Sequence, residues 1–409
     1  MKAWIPAALA LALAQTTAGS AQTLTTLASL NGTNGANPRS SLIADASGSL
    51  YGTANTGATS DRGSVFKVTS DGTLSRFASF TTNTGGNPYS GLVIDASGTL
   101  YGTTQKGGAF NRGAVYSVTS TGTITTLATF NGANGSTPYS RPMLDASGTL
   151  YGTTWLGGTA NYGTVYRLTS DGTLTTLASF NIANGANPHG GLIAVASGTL
   201  FGTTTFGGTS NLGTVFSLTS DGTLTTLASF TGANGSSPYA GLIADASGTL
   251  YGTTRTGGTS NLGTVFSLTS SGTLTTLASF TGANGANPLS DLIVDASGTL
   301  FGTTTFGGAS NLGTVFSLTK DGTLTTLASF NGANGSQPYA GLLADAAGTL
   351  YGTTRAGGAF SSGTVFSLTG SGFNTSPTAA VPEPQSWALL ILGFGLVGAA
   401  ARRQRARTA

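Results

Sequence analysis

The sequence predicts an all-β protein folded as a seven-bladed β-propeller, and three observations carry that expectation. A fifty-residue unit recurs seven times without insertion. Each unit contains four short runs bounded by turn residues. The phase of the repeat lets the two ends of the repeat region complete one blade together. Periods of this length, with several strands in each, mark propellers or solenoids.

The unit is read most easily from Leu-Thr-Thr-Leu-Ala-Ser-Phe, which recurs with small changes from Leu24, Leu74, Ile124, Leu174, Leu224, Leu274 and Leu324. In the fifth copy Leu224–Phe230 is followed by a polar Asn/Gly loop to Pro238, then Gly241–Asp245. The turn Asp245-Ala246-Ser247-Gly248 leads into Thr249–Thr254, and a Gly-Gly loop into Gly263–Thr269. Ser270-Ser271-Gly272 closes the unit, where other copies have Ser-Asp-Gly. Runs rich in β-branched and aromatic residues between Gly, Asn, Asp and Pro are strands between turns. Both faces of a run such as Val265-Phe266-Ser267-Leu268 are largely apolar, as expected of small sheets each packed between two neighbours.

The turns set the connectivity. Asp-Ala-Ser-Gly at Asp45, Asp95, Asp145, Asp245 and Asp295, and Asp-Gly at Asp71, Asp171 and Asp221, are tight reversals with Gly where a positive φ is needed. Such reversals make antiparallel hairpins, which a parallel β-helix or solenoid, the alternative architecture, does not use. The repeats begin with a Leu-Thr-Thr-Leu strand and stop after Gly363–Thr369. Leu24–Leu30 is therefore expected to supply the missing outer strand of the last blade, closing the ring and removing exposed sheet edges.

Composition agrees with this architecture. Among 409 residues there are 64 Gly, no Cys, one His and 7% charged residues, too apolar for a solvated disordered chain and too rich in Gly and Thr for a helical one. The ends differ from the body. Lys2, an apolar run from Ala7 to Ala14 and the small residues Gly19-Ser20-Ala21 form an expected signal peptide, residues 1–21. The propeller is expected over 22–371 and a linker over 372–380. Residues 381–409 then contain Pro382-Glu383-Pro384, an apolar stretch at 387–401 read as a transmembrane helix, and Arg402, Arg403, Arg405 and Arg407. Lys2, these arginines and Glu383 belong to the ends, leaving 11 basic and 12 acidic residues in the body, against 16 and 13 in the whole chain. The alkaline isoelectric point thus arises at the termini and gives no argument for a nucleic-acid partner.

The order of Pro-Glu-Pro motif, apolar helix and arginine cluster resembles the PEP-CTERM sorting signal of Gram-negative bacteria. That resemblance implies an exosortase-type partner acting on Pro382, Glu383 and Pro384. It also implies transient anchoring in the inner membrane and delivery to the cell surface or matrix. Across all seven units Gly-Thr-Leu-Tyr-Gly-Thr-Thr (Gly248–Thr254), Gly257-Gly258 and Gly-Thr-Val-Phe (Gly263–Phe266) resemble the GloVer tandem repeats of proteins with interchangeable C-terminal anchors. This implies a surface protein and brings no mechanism with it.

Little in the body reads as catalytic. Of its 12 acids, six occupy the Asp-Ala-Ser-Gly-type turn (Asp345 with the five above) and four the Asp-Gly turn (Asp321 with the three above), leaving Asp61 and Asp291 in different repeats. Paired carboxylates for glycoside cleavage need to lie roughly 5–10 Å apart. The single histidine, His189, stands where other repeats have Tyr89, Tyr139, Tyr239 and Tyr339, and reads as a drifted repeat position. No cofactor is expected. Calcium is the one metal the Asn-Gly loops leave open, although they lack clustered acids.

The two longer loops of each unit are expected on one face of the disc and the two tight turns on the other. Variation concentrates on the long-loop face, where Trp155, Phe206, Arg255, Phe306 and Arg355 stand just before the Gly-Gly pairs. With Tyr89, Tyr139, Tyr239 and Tyr339 these are the candidate ligand-binding residues, suited to stacking on and hydrogen-bonding sugars. Blade-to-blade packing is the competing role for the same rings. The expected function is non-catalytic binding or scaffolding, with exopolysaccharide or a surface protein as partner. A propeller polysaccharide lyase or hydrolase, and an inert spacer, are the alternatives.

Overall fold

A computed structural model describes residues 21–195 and 198–375, and among them every regular element is a strand. The strands form seven antiparallel sheets, the blades of a β-propeller. In the fifth blade the order from axis to rim is Ile243–Ala244, Leu250–Thr254, Thr264–Leu268, Leu274–Ser279. All three pairings of this blade are antiparallel hairpins, so the solenoid alternative falls away.

The core lies between blades. Thr264–Leu268 is buried along its whole length because a neighbouring blade covers each face. Phe266 meets Phe230 of the preceding blade edge-to-face at 5.1 Å, and Phe216–Phe180 and Phe316–Phe280 repeat the pair. Burying each such ring contributes about 2–3 kcal/mol, and the ring–ring geometry adds to it. The repeat motif is explained by the same contact. Gly252 lies opposite Phe266 in the ladder, and a Cβ there would sit 2.7 Å from the phenyl Cζ. The glycine of Leu-Tyr-Gly-Thr-Thr makes room for the ring that locks the blades.

The following threonine ties each blade to the next. Thr203 Oγ1 donates to Ala240 O at 2.8 Å, and the equivalent hydroxyl of every blade reaches the next blade's axial chain. The seventh, Thr353 to Ser40 O at 3.1 Å, runs from the last blade back to the first. Beside it Thr23–Ser29 pairs with Thr364–Thr369, Leu24 opposite Leu368. The N-terminal strand thus completes the last blade, as the repeat phase predicts.

One expected strand is shorter than the pattern suggested: within Gly241–Asp245 only Ile243–Ala244 pairs. The preceding residues turn toward the axis, and in the first blade a side chain replaces the ladder, Ser40 Oγ accepting Thr53 N–H at 3.0 Å.

The tight turns and the long loops lie on opposite faces. At most of the turns one carboxylate organises the reversal. Asp245 Oδ1 accepts Ser247 N–H (2.9 Å), Ser247 Oγ–H (2.6 Å) and Thr249 N–H (3.0 Å), while Tyr251 O–H donates to Oδ2 at 3.0 Å. The final described residues also lie on this face. Phe373 packs on Phe301 with ring centroids 5.1 Å apart, and Asn374 N–H donates to Asp295 Oδ2 at 3.1 Å. Residues 1–20 of the expected signal peptide, Pro382-Glu383-Pro384 and the apolar stretch 387–401 lie outside the described residues. Among those described, no helix is long and apolar enough to cross a membrane.

Candidate functional site: the axial mouth

Each innermost chain enters the axis from the long-loop face just after a proline, and its next side chain points at the channel. Around the ring this position is Arg39, Tyr89, Tyr139, His189, Tyr239, Leu289 and Tyr339, every one half-buried. Most of these residues separate two spaces. Outward lies a cavity of about 370 Å³ lined by Asn55, Gln105, Trp155 and the ring residues 39 to 239. Toward the short-turn face lies a chamber of about 70 Å³ that reaches Arg141 and Asp291. The chamber is narrow because its walls are backbone: a Cβ on Gly241 would sit 3.0 Å from Gly191 O and 3.1 Å from Asp291 Oδ1.

The aromatic side chains form one contiguous cluster. Tyr139 stacks on His189 with centroids 5.0 Å apart and planes at 22°. Tyr89 meets Tyr139 edge-on at 4.7 Å, and His189 meets Tyr239 at 4.7 Å. Trp155 closes over them, 5.7 Å from Tyr139 and 5.9 Å from His189, with Phe206 at its outer edge, 6.2 Å away. Polar groups are interleaved. Gln105 Nε2 donates to Tyr139 Oη at 2.8 Å and Arg39 Nη1 to Tyr89 Oη at 3.0 Å. The Arg39 guanidinium lies 4.9 Å from the Tyr89 centroid and 5.2 Å from that of Tyr339, inside cation–π range.

Burial sets the protonation states. Desolvation pulls the His189 imidazole down to about 4, with the Arg39 field adding to the effect and the hydrogen bond at Tyr239 O opposing it. Since a carbonyl only accepts, His189 Nδ1 carries the hydrogen that bridges the 3.1 Å to Tyr239 O, and the ring is neutral at pH 7. Burial likewise raises the Tyr89 and Tyr139 phenols, so both stay protonated.

The sequence-predicted residues fall into place unevenly. Tyr89, Tyr139, Trp155, Phe206 and Tyr239 join one cluster. Arg255 lies over Tyr239 at 5.4 Å and Arg355 over Tyr339 at 5.5 Å. Phe306 shares the backbone ladder of Phe206, pairing with Ala286, but makes no ring contact among the described residues. His189, read from sequence as a drifted position, sits at the centre of the cluster. Arg39 was not singled out, and Gln105, which stands at the Trp155 position of its own repeat, was not among the candidate ligand-binding residues. The fifty-residue phase held the signal for Arg39: Pro38-Arg39 aligns with Pro88-Tyr89.

A seven-bladed propeller with an aromatic axial mouth is the class of protein this geometry defines. The chain belongs to the Gloeobacter/Verrucomicrobia repeat family, which it matches over residues 13–145, 121–295 and 213–380. Residues 380–405 match the PEP-CTERM protein-sorting motif, which signals export and surface sorting in Gram-negative bacteria and implies recognition by an exosortase. Among solved structures the chain resembles virginiamycin B lyase from Staphylococcus aureus, at 16% identity and a TM-score of 0.59, covering 85% of this chain and 99% of that one. It also resembles the extracellular domain of a putative one-component system from B. thetaiotaomicron (13% identity, TM-score 0.56, 85% of this chain and 40% of that one). Puromycin hydrolase is a third (13%, 0.53, 79% and 50%). At these identities the likeness is one of fold. No curated protein matches the chain.

Proposed function

We propose that the protein is a non-catalytic, surface-displayed module whose long-loop mouth captures extracellular polysaccharide. The observation that carries this reading is the contiguous cluster of Tyr89, Tyr139, Trp155, His189 and Tyr239 around one open cavity. Aromatic faces stack on the apolar faces of sugar rings, and Asn55, Gln105 and Arg39 supply polar groups beside them. The cavity volume lies within the range of about 300–1,000 Å³ typical of small-ligand sites. Export through a signal peptide at 1–21 and transient anchoring by 387–401 would deliver the module to the matrix.

The lining favours binding over hydrolysis. Among the described residues no carboxylate borders the outer cavity. Among the described residues Asp291 is the sole acid of the inner chamber, its Oδ1 already accepting Gly241 N–H at 2.6 Å. Hydrolysis needs a second carboxylate within roughly 10 Å. One observation favours a second reading, a lyase. Tyr139, His189 and Arg39 share a cavity, a phenol, an imidazole and a charge-stabilising guanidinium.

Binding of the purified protein to a panel of bacterial exopolysaccharides, with chain cleavage followed in parallel, tests both. Capture without cleavage, weakened by Trp155→Ala and Tyr139→Ala, is the expected result. Release of unsaturated sugar ends would move the assignment to a lyase. No capture of any glycan would overturn the proposal.

A further inference from the structure

The nearly balanced charge of the body hides a division between the two faces. Ten of the 12 body aspartates named above sit in the tight turns. On the long-loop face Arg62, Lys106, Arg112, Arg255 and Arg355 lie in or beside the loops. Arg76 reaches the same face from its strand, with Nη1 donating to Thr33 O at 3.1 Å and Thr59 Oγ1 at 3.2 Å. The acid of that face, Asp61, is engaged locally, its Oδ1 accepting Gly57 N–H at 2.7 Å. Among the described residues one ion pair forms, Lys67 with Asp45 at 3.8 Å, and it lies on the short-turn face.

The sharpest feature is at the axis. Arg39 stands in the ring between Tyr89 and Tyr339 with no carboxylate partner among the described residues, and its Nε is buried without a hydrogen-bond partner. Arg355, over the ring residue Tyr339, repeats the pattern, Nη1 on Gln337 Oε1 at 2.9 Å and Nε buried and unpartnered. A desolvated guanidinium is ordinarily paired, and one left with a free N–H is suited to an incoming oxyanion. Tyrosine faces partly stabilise the cation but leave in-plane donors other than Nη1 available. With His189 neutral and the Tyr89 and Tyr139 phenols raised by burial, these ring neighbours do not offset the positive charge.

We infer that the mouth selects acidic glycans. A carboxylate-bearing sugar of the uronate type docks with its ring against the Tyr139–His189–Trp155 cluster and its carboxylate toward Arg39. The outer cations concentrate the polyanion on this face and the aspartates repel it from the other. This rests on the glycan-binding reading above. A single-stranded nucleic acid shares the negative charge and the affinity for aromatic faces. The site, however, is a single cavity at the axis rather than a groove tracking a backbone, and the chain carries an export-sorting motif.

The test compares polygalacturonate with the neutral glucan dextran, using the full protein at low and physiological salt. The expected result is at least tenfold tighter capture of polygalacturonate at low salt, weakening as salt is added, since only the charged ligand feels screening. Arg39→Gln should bring the ratio toward one, and Arg39→Lys should restore part of it. Should the variants fail to fold, the salt dependence of the parent decides by itself. Equal, salt-independent capture of both polymers would overturn the inference while leaving glycan binding standing. Capture of neither would overturn both. Tighter capture of a single-stranded oligonucleotide than of polygalacturonate would overturn the choice of a glycan.

Discussion

The two faces of the disc are built from the same fifty residues, and they differ in how their polar groups are satisfied. On the short-turn face each aspartate closes a bond network inside its own hairpin. Asp245 holds Ser247, Thr249 and Tyr251, and Asp45 holds the same positions fifty residues per blade away. Burial alone would raise these carboxyls. The hydrogen bonds outweigh it and hold Asp45, Asp95 and Asp245 below the usual carboxylate range. On the long-loop face the corresponding side chains meet across blades, around an open cavity, and some donors have no partner. A self-contained turn can be copied seven times unchanged. A ring position that converges with six others on one axis cannot, because seven identical tyrosines would compete for the same space, and there the repeat departs from its pattern at Arg39, His189 and Leu289.

The comparison is broken most decisively if the faces do not separate binding from stability. Trp155→Ala removes the lid of the cluster and should weaken glycan capture by about 10- to 100-fold, the size of an aromatic anchor worth roughly 2 kcal/mol or more. Its urea midpoint should move little, since the indole borders a cavity on one side. Asp245→Ala should do the reverse. It strips one half-exposed turn of several bonds and should cost about 1–2 kcal/mol, read as a lower urea midpoint at unchanged m. Glycan affinity should stay within error. A loss of binding in the turn variant would mean the faces are coupled through the blades.

The axis itself offers a sharper measurement. The folded His189 titrates near 4, below the ordinary value of 6.5, so the unfolded chain takes up its proton first as pH falls. The stability held by the neutral ring is therefore complete above about pH 6.5 and is lost as pH drops toward 4. His189→Tyr restores the residue of four other blades and removes this dependence. Between pH 7 and 4 the parent should lose about 1–3 kcal/mol relative to the variant, the range reflecting the part of the imidazole open to the channel. Parallel melting curves for the two proteins would show the gap opening only on the acid side.

The fold was legible in the sequence because its determinants are local and repeated. Asp-Ala-Ser-Gly states a reversal, Gly-Thr-Leu-Tyr-Gly-Thr-Thr a strand that must pass beneath a phenyl ring, and the phase of Leu24–Leu30 a closing strand. The site was legible only in part. Trp155 and the tyrosines could be read as aromatics on a variable face, but their convergence depends on a channel radius that no spacing along the chain encodes. For the same reason His189, which breaks the tyrosine pattern, read as drift, and Arg39 passed unnoticed beside a proline at the start of the first unit. The innermost strand pairs only over Ile243–Ala244 rather than from Gly241, and in the first blade the Ser40 hydroxyl takes the Thr53 N–H that a longer ladder would have used.

The smallest effect tests the short-turn side alone. In the fourth blade Val195 occupies the aspartate position, and the reversal persists on its backbone bonds, Val195 N–H to Thr199 O at 3.1 Å and Gly198 N–H to Val195 O at 2.8 Å. The turn geometry is therefore set by the backbone, and the carboxylate adds to it. Val195→Asp should stabilise the protein by about 0.5–1 kcal/mol, the net worth of new bonds at a partly solvated site. The gain should fade as pH falls through the carboxylate range, because protonation removes the acceptor charge that the turn's donors hold. A gain that persists at low pH would show that relief of a half-buried valine, rather than the carboxylate network, is what the other six turns obtain from aspartate.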